Sequence, residues 1–176
     1  NYGRNQIWKI GLDAKMHLVA GNGTACAGFG STCGDGGDAK LAQLNNPNDI
    51  LFDRNGALVI ADTSTQRVRR VELDGRIVSI TGKEAAQPNR EYQWLALGGR
   101  GQVYAQEHNS MMVYEIDATR PIAVATSLWQ SDPCGTSHPE GRIFSMQNGE
   151  IGFACYSKLI DATTFEPLVG SGGGTW

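Results

Sequence analysis

The sequence predicts an all-β chain built from four-stranded antiparallel meanders, the layout of a β-propeller with about three and a half blades present. Three observations carry this. The stretch Asn45–Gly82 holds four short strand-like runs split by turns, two of which contain Asn55-Gly56 and Asp74-Gly75, dipeptides that favour hairpins. The same pattern returns at intervals of roughly 43 to 50 residues, within the range of propeller blades. The chain carries 23 glycines among 176 residues and no helical periodicity over about 11 residues or more, which suits a turn-rich β protein.

Residues 1–21 read as half a blade. Gln6–Asp13 lies over Arg67–Asp74, and Met16–Gly21 over Ile77–Gly82, at one fixed offset. They therefore match the third and fourth strands of a blade whose first two are missing. Residues 22–44 form a loop holding Cys26, Cys33 and Gly34-Asp35-Gly36-Gly37. Ala39–Leu44 is expected to make one or two helical turns, with Asp38 as cap. A loop this long in a compact domain points to function or to a family insertion.

The complete blade spans 45–82. Its strands are expected at Asp49–Phe52, Ala57–Ala61, Arg67–Leu73 and Ile77–Thr81. Arg67, Arg69 and Arg70 form the one dense basic cluster and are expected on a solvated outer strand. The next blade, 91–126, has strands at Tyr92–Leu97, Gln102–Gln106, Met111–Asp117 and Ile122–Thr126. The last, 141–170, has Arg142–Met146, Glu150–Cys155, Lys158–Asp161 and Glu166–Val169, with Pro167 confining the final run to an edge. Trp8 and Trp94 fall within strands and are expected to pack in the core or between blades, as are Met111, Met112 and Tyr114.

The formal net charge is −3 and the pI about 5.6, which argues against a nucleic-acid partner, since phosphate contacts need a basic stripe. No stretch approaches the ~20 apolar residues of a membrane span. The chain begins with Asn1 and not Met, so it is expected to be processed or partial. Four cysteines allow three pairings, of which Cys26–Cys33 and Cys134–Cys155 are expected. Loops of about 8 and about 22 residues would be worth roughly 2.5 and 3.4 kcal/mol by chain entropy. The alternative is four reduced thiols in a cytosolic protein. An even cysteine count in a Gly-rich β chain points to an oxidising compartment, and Asn22-Gly23-Thr24 is an N-glycosylation sequon.

Together Gly34-Asp35-Gly36-Gly37, Leu44-Asn45-Asn46-Pro47, Ile60-Ala61-Asp62-Thr63, Arg67-Val68-Arg69 and Leu73-Asp74-Gly75 resemble the NHL repeat family of β-propellers. The likeness is densest over 34–82, extends over 5–21 and thins over 92–170. Asp49 departs from it, standing where the family usually has Gly. The resemblance implies blades of four antiparallel strands around an axis, with six blades common.

Asp62, Gln106 and Cys155 are expected at equivalent positions after the second strand, where propeller loops line one face. Asp62, Gln106, His108 and Trp129 are thus the ligand-face candidates, with an Asx-turn as the alternative role for Asp62. The histidines, His17, His108 and His138, do not show metal-ligand spacing, and neither a catalytic residue nor a cofactor is expected. The expected function is an extracellular or cell-surface module that binds a protein or glycan, or assembles with itself. A metal-dependent lyase or hydrolase, as on related propellers, and an RNA-binding NHL domain are the alternatives.

Overall fold

The computed structural model describes residues 4–27, 31–81, 90–108, 112–116, 126–127, 141–155 and 159–161. These form four antiparallel sheets. The first pairs β1 (Ile7–Ile10) with β2 (Met16–Ala20). The second contains β3 (Pro47–Phe52), β4 (Leu58–Asp62), β5 (Arg67–Val71) and β6 (Ile77–Ser79), in that order. The third runs β7 (Tyr92–Leu97), β8 (Val103–Glu107), β9 (Val113–Ile116), β10 (Thr126–Ser127). The fourth holds β11 (Gly141–Ser145), β12 (Ile151–Cys155) and β13 (Leu159–Asp161). Every hydrogen-bonded pair joins sequence neighbours, as in a meander. The expected strands at Met111 and at residues 117–125 and 166–169 fall wholly or partly outside the described residues, as do Trp129, His138 and Cys134.

One turn recurs at five hairpins. Asp53 N–H donates to Ala57 O (2.9 Å) while Gly56 N–H donates to Asp53 O (3.0 Å). The same two bonds link Glu72, Gly75 and Arg76; Gly98, Gly101 and Gln102; Met146, Gly149 and Glu150; and Gly11, Ala14 and Lys15. Gly56, Gly75, Gly101 and Gly149 lie at φ between 81° and 91°. Asn55 and Asp74 are absent from the residues with positive φ. The Asn-Gly and Asp-Gly pairs are therefore not two-residue type I′ turns. They are three-residue loops whose last residue alone is left-handed, the G1-bulge form. Ala14 fills that position at φ 57°, where a Cβ is disfavoured.

Alternation along the strands divides the core into three interfaces. Leu58 and Ile60 face back to Ile7, Ala20 and the loop residues Ala39, Ala42 and Leu44. Val59 and Ala61 face forward with Val68 and Ile80, onto Tyr92, Leu95, Val103 and Ile116. Ala96 and Val113 then meet Ile143, Ile151 and Phe153. A strand sandwiched between two neighbours is buried on both faces, as β4 is throughout, so it lacks the polar side of a surface strand. Each large side chain so enclosed contributes about 1.5–3 kcal/mol.

Two expectations are corrected here. Trp8 is 44% exposed instead of packed in a core. Ala39–Leu44 is a turn, not a helix: Leu41 N–H donates to Asp38 O and Ala42 N–H to Ala39 O, and the bonds stop there. Asp38 does cap it, its Oδ1 accepting from Lys40 N–H at 2.9 Å. The segment is instead held from outside, by Gly21 N–H to Ala39 O and Asn22 N–H to Ala42 O.

Candidate functional site

Of the three arginines expected on a solvated strand, Arg70 is half-buried and paired with Glu72, whereas Arg67 and Arg69 lie in the interior. Arg67 and Arg69 are 4% and 0% exposed. They share strand parity with Val71, so they point back, away from Val68 and towards the loop 31–45. Arg69 Nη1 donates to Gln43 O (3.0 Å), and Nη2 to Cys33 O (3.1 Å) and to Asp35 Oδ1 (2.8 Å). Ser79 Oγ donates to Asp35 Oδ2 (2.6 Å). Arg67 Nη2 donates to Ser31 O at 2.5 Å. One planar guanidinium thus ties the two ends of the loop to each other and to β5, a geometry that suits its rigid fork of donors. Burial pushes the Arg67 guanidinium down from its usual pKa.

The loop is closed by the Cys26–Cys33 disulfide. It also lies along the outer edge of β6, where Gly36 N–H donates to Ile77 O and Ile77 N–H to Gly37 O. Gly34 is at φ 83°, and a Cβ there would stand 2.9 Å from Ala42 Cα. The turn after it therefore needs glycine.

Asp62 ends β4 and closes the same network. It is fully buried. Its Oδ1 accepts from Asn45 N–H at 2.7 Å, and its Oδ2 lies 3.6 Å from Arg69 Nη1. This is not the Asx-turn considered for it: the bond reaches back to the C-terminal end of the loop and not to its own hairpin. A 3₁₀ turn, Thr63–Thr65, follows, with Thr65 Oγ1 donating to Asp62 O (2.7 Å). Burial raises the Asp62 pKa to about 6, more than the Asn45 N–H and the Arg69 charge lower it.

Gln106 is not the equivalent of Asp62. Counted from the shared turn glycines, Gln106 stands with Ala61, and Glu107 stands with Asp62. A one-residue difference reverses the face. Gln106 accordingly points forward, Nε2 donating to Gly141 O (2.8 Å) and Oε1 accepting from Ile143 N–H (3.0 Å). Asp62 and Gln106, expected on a ligand face, are instead internal. His108 is the expected face residue whose side chain reaches solvent, about a third exposed, with Nδ1 3.0 Å from Glu91 Oε2. Trp129 and the Cys134 side of the second expected disulfide lie outside the described residues. Asn22 is exposed; its Oδ1 accepts from Thr24 N–H (2.8 Å) and its Nδ2 donates to Leu41 O (3.1 Å).

A second set of side chains joins the inner strands. Asp49 Oδ2 accepts from Leu95 N–H (2.9 Å), Asn48 Nδ2 donates to Gln93 O (3.2 Å), and Thr63 Oγ1 donates to Tyr92 O (2.7 Å). Arg142, two sheets on, reaches Asp49 Oδ1 at 3.5 Å and stacks over the Trp94 ring at 4.5 Å. The carboxylate standing where the family usually has Gly is thus a tie between sheets. Among the described residues, no group of three or more His, Cys, Asp or Glu is placed to hold a metal ion, and no helix is long and apolar enough to cross a membrane.

Antiparallel meanders of up to four strands, stacked face to face and opening on short three-residue turns, define a β-propeller scaffold. Solved structures agree on the fold. A gluconolactonase from Xanthomonas campestris matches with TM-score 0.62 at 15% identity, over 91% of this chain and 53% of its own. A virginiamycin B lyase from Staphylococcus aureus matches with TM-score 0.59 at 15% identity, over 91% of this chain and 46% of its own. The model of the teneurin NHL domain matches residues 6–120, and the chain belongs to that family. Teneurin-1 of Caenorhabditis elegans is 40% identical over 81 residues, 43% of this chain. Mouse teneurin-4 is 41% identical over 72 residues, 40% of this chain. The chain spans 2–3% of the length of these relatives.

Proposed function

We propose that the chain is part of a non-enzymatic, extracellular or cell-surface propeller that binds a protein or glycan, or joins copies of itself. The observation that carries this reading is the use made of the polar groups. The buried carboxylates and guanidiniums of the 31–45 and 62–69 region hold a loop in one shape. A prefixed loop loses little entropy on binding, which favours recognition. Catalysis would need titratable groups turned towards a substrate, and Asp62 is turned inward. Membership of the teneurin NHL family and the Cys26–Cys33 bridge support an oxidising, extracellular setting. We assign Asn22 as a glycan acceptor on the same grounds, its side chain being exposed within the sequon.

The test is binding of fluorescently labelled chain to intact cells, either untreated, protease-treated or stripped of surface glycans, alongside a glycan array. Loss after protease alone identifies a protein ligand, and loss after glycan removal a glycan. Metal-dependent turnover of lactone or cyclic depsipeptide substrates would overturn the reading, as would salt-sensitive binding of single-stranded RNA. Deglycosylation should lower the mass of the secreted chain, and the shift should vanish in Asn22→Gln.

A further inference from the structure

Three asparagines are followed directly by glycine: Asn22, Asn55 and Asn148. All three are exposed. Each pair carries the same latent chemistry. Glycine has no Cβ to shield its backbone nitrogen, which lies within reach of the side-chain carbonyl carbon of the preceding asparagine. Asn55 and Asn148 form a matched comparison, because they occupy the same place in the same turn. Gly56 N–H donates to Asp53 O and Gly149 N–H to Met146 O, both at 3.0 Å. The two glycines lie at φ 81° and 87°. The backbone constraint is therefore shared, and what differs is the hold on the side chain.

Asn148 is held at both ends by Glu150: its Nδ2 donates to Glu150 Oε2, and its Oδ1 accepts from Glu150 N–H at 3.1 Å. Asn22 is likewise held, by Leu41 O (3.1 Å) and Thr24 N–H (2.8 Å). The side-chain amide of Asn55 bonds to none of the described residues; only its backbone N–H is engaged, with Asp53 Oδ1 at 2.8 Å. The surroundings differ in the same direction. Gly149 O accepts from Gly99 N–H, and a Cβ on Gly149 would stand 2.5 Å from Gly99 Cα. A Cβ on Gly56 would meet only Leu73 Cδ2, at 3.8 Å, and Arg54, Asn55 and Gly56 are all exposed. One turn is pinned from outside, and the other has room to distort into a five-membered ring.

We infer that Asn55 is a site of spontaneous deamidation, and that Asn22 and Asn148 are spared. Gly56 N attacks Asn55 Cγ; the N–Cγ bond forms, the Cγ–Nδ2 bond breaks, and Nδ2 leaves as ammonia with the Gly56 amide proton. Water then opens the cyclic imide. Addition at Cγ leaves an ordinary aspartate at position 55. Addition at the backbone carbonyl leaves an isoaspartate, whose main chain runs through the side chain and is one methylene longer. Nothing is oxidised or reduced. Either product places a new carboxylate beside Arg54, whose stem lies against Gly101 of the next sheet. The isoaspartate also lengthens the turn between β3 and β4, which the three-residue geometry with one left-handed glycine does not accommodate. The result is an irreversible change of charge and shape that accumulates with the age of the protein.

The test is a time course of the natural full-length polypeptide held folded at mildly alkaline pH, with peptide mapping by mass spectrometry and isoaspartate scored separately from aspartate. Asn55 should convert on the order of tenfold or more faster than Asn148, where two hydrogen bonds must first be broken. In the same polypeptide unfolded in urea the gap should close, since the hold on Asn148 is then gone. Glu150→Ala should speed Asn148 and leave Asn55 unchanged. A folded protein in which Asn55 converts no faster than Asn148 would overturn the inference, whether or not Glu150→Ala folds. A gap that persists in urea would overturn it as well, by tracing the difference to neighbouring sequence and not to the fold.

Discussion

Replacing Arg69 with Met keeps the stem and removes the fork. Three hydrogen bonds vanish, to Gln43 O, Cys33 O and Asp35 Oδ1, together with the 3.6 Å approach to Asp62. Two carbonyls and the Asp35 carboxylate lose a donor, and the buried Asp62 loses its neighbouring positive charge. Breaking a buried charge network from one side costs about 3–5 kcal/mol. For a chain of this size that is a fall in Tm of roughly 6–20 °C. The loss should also be local: amides of residues 31–45 should lose protection before those of β7 and β8 do. Arg69→Lys keeps the charge but not the geometry, and should recover only part of the loss. Urea unfolding and hydrogen exchange measure both quantities. A change below about 1 kcal/mol for Arg69→Met, or a loop that keeps its protection, would refute the assignment of Arg69 as the fastener of the loop.

Other expectations follow from the same geometry. Asp62 has a raised pKa in the fold, so the folded state holds its proton where the unfolded state has lost it. Its contribution is fully present below pH ~4 and is lost as pH rises to about 6; relative to Asp62→Asn, stability should fall across that window by up to about 3 kcal/mol. Urea unfolding at pH 4 and pH 7 would measure it, and a flat difference would contradict it. Gly75→Ala should destabilise by about 1 kcal/mol, since nothing lies within 4 Å of the added Cβ and only the φ of 87° resists it. Ala14→Gly should shift thermal unfolding the opposite way at the matching turn. Cutting the Cys26–Cys33 bridge by Cys26→Ser and Cys33→Ser should cost about 2.5 kcal/mol and speed exchange within residues 31–45.

The strands and turns were legible because their signals are local. Glycine at the last place of four of the five turns and apolar alternation between turns need no knowledge of the partner. The role of the arginines was hidden for the opposite reason. Arg67-Val68-Arg69-Arg70-Val71 reads as a polar strand, and only the placement of Asp35, a loop away, makes burial of a guanidinium affordable. A trace was present: Arg67 and Arg69 share a face with Val71, which must be buried if Val68 faces the next blade. Counting from the strand end puts Gln106 level with Asp62, whereas the turn glycine, which fixes the register, puts it level with Ala61. Asp49 and Arg142 are far apart in sequence and meet only because inner strands converge.

That convergence has a mechanical meaning. The apolar interfaces join each sheet only to the next, so across the outer strands the molecule behaves as a stack in which each layer senses its immediate neighbour. Arg142 breaks this rule near the axis, spanning from its own sheet past Trp94 to Asp49 two sheets away. The inner strands therefore work as a hub and the outer strands as spokes. A disturbance at the rim is passed on layer by layer, whereas one at the hub is felt two layers away at once.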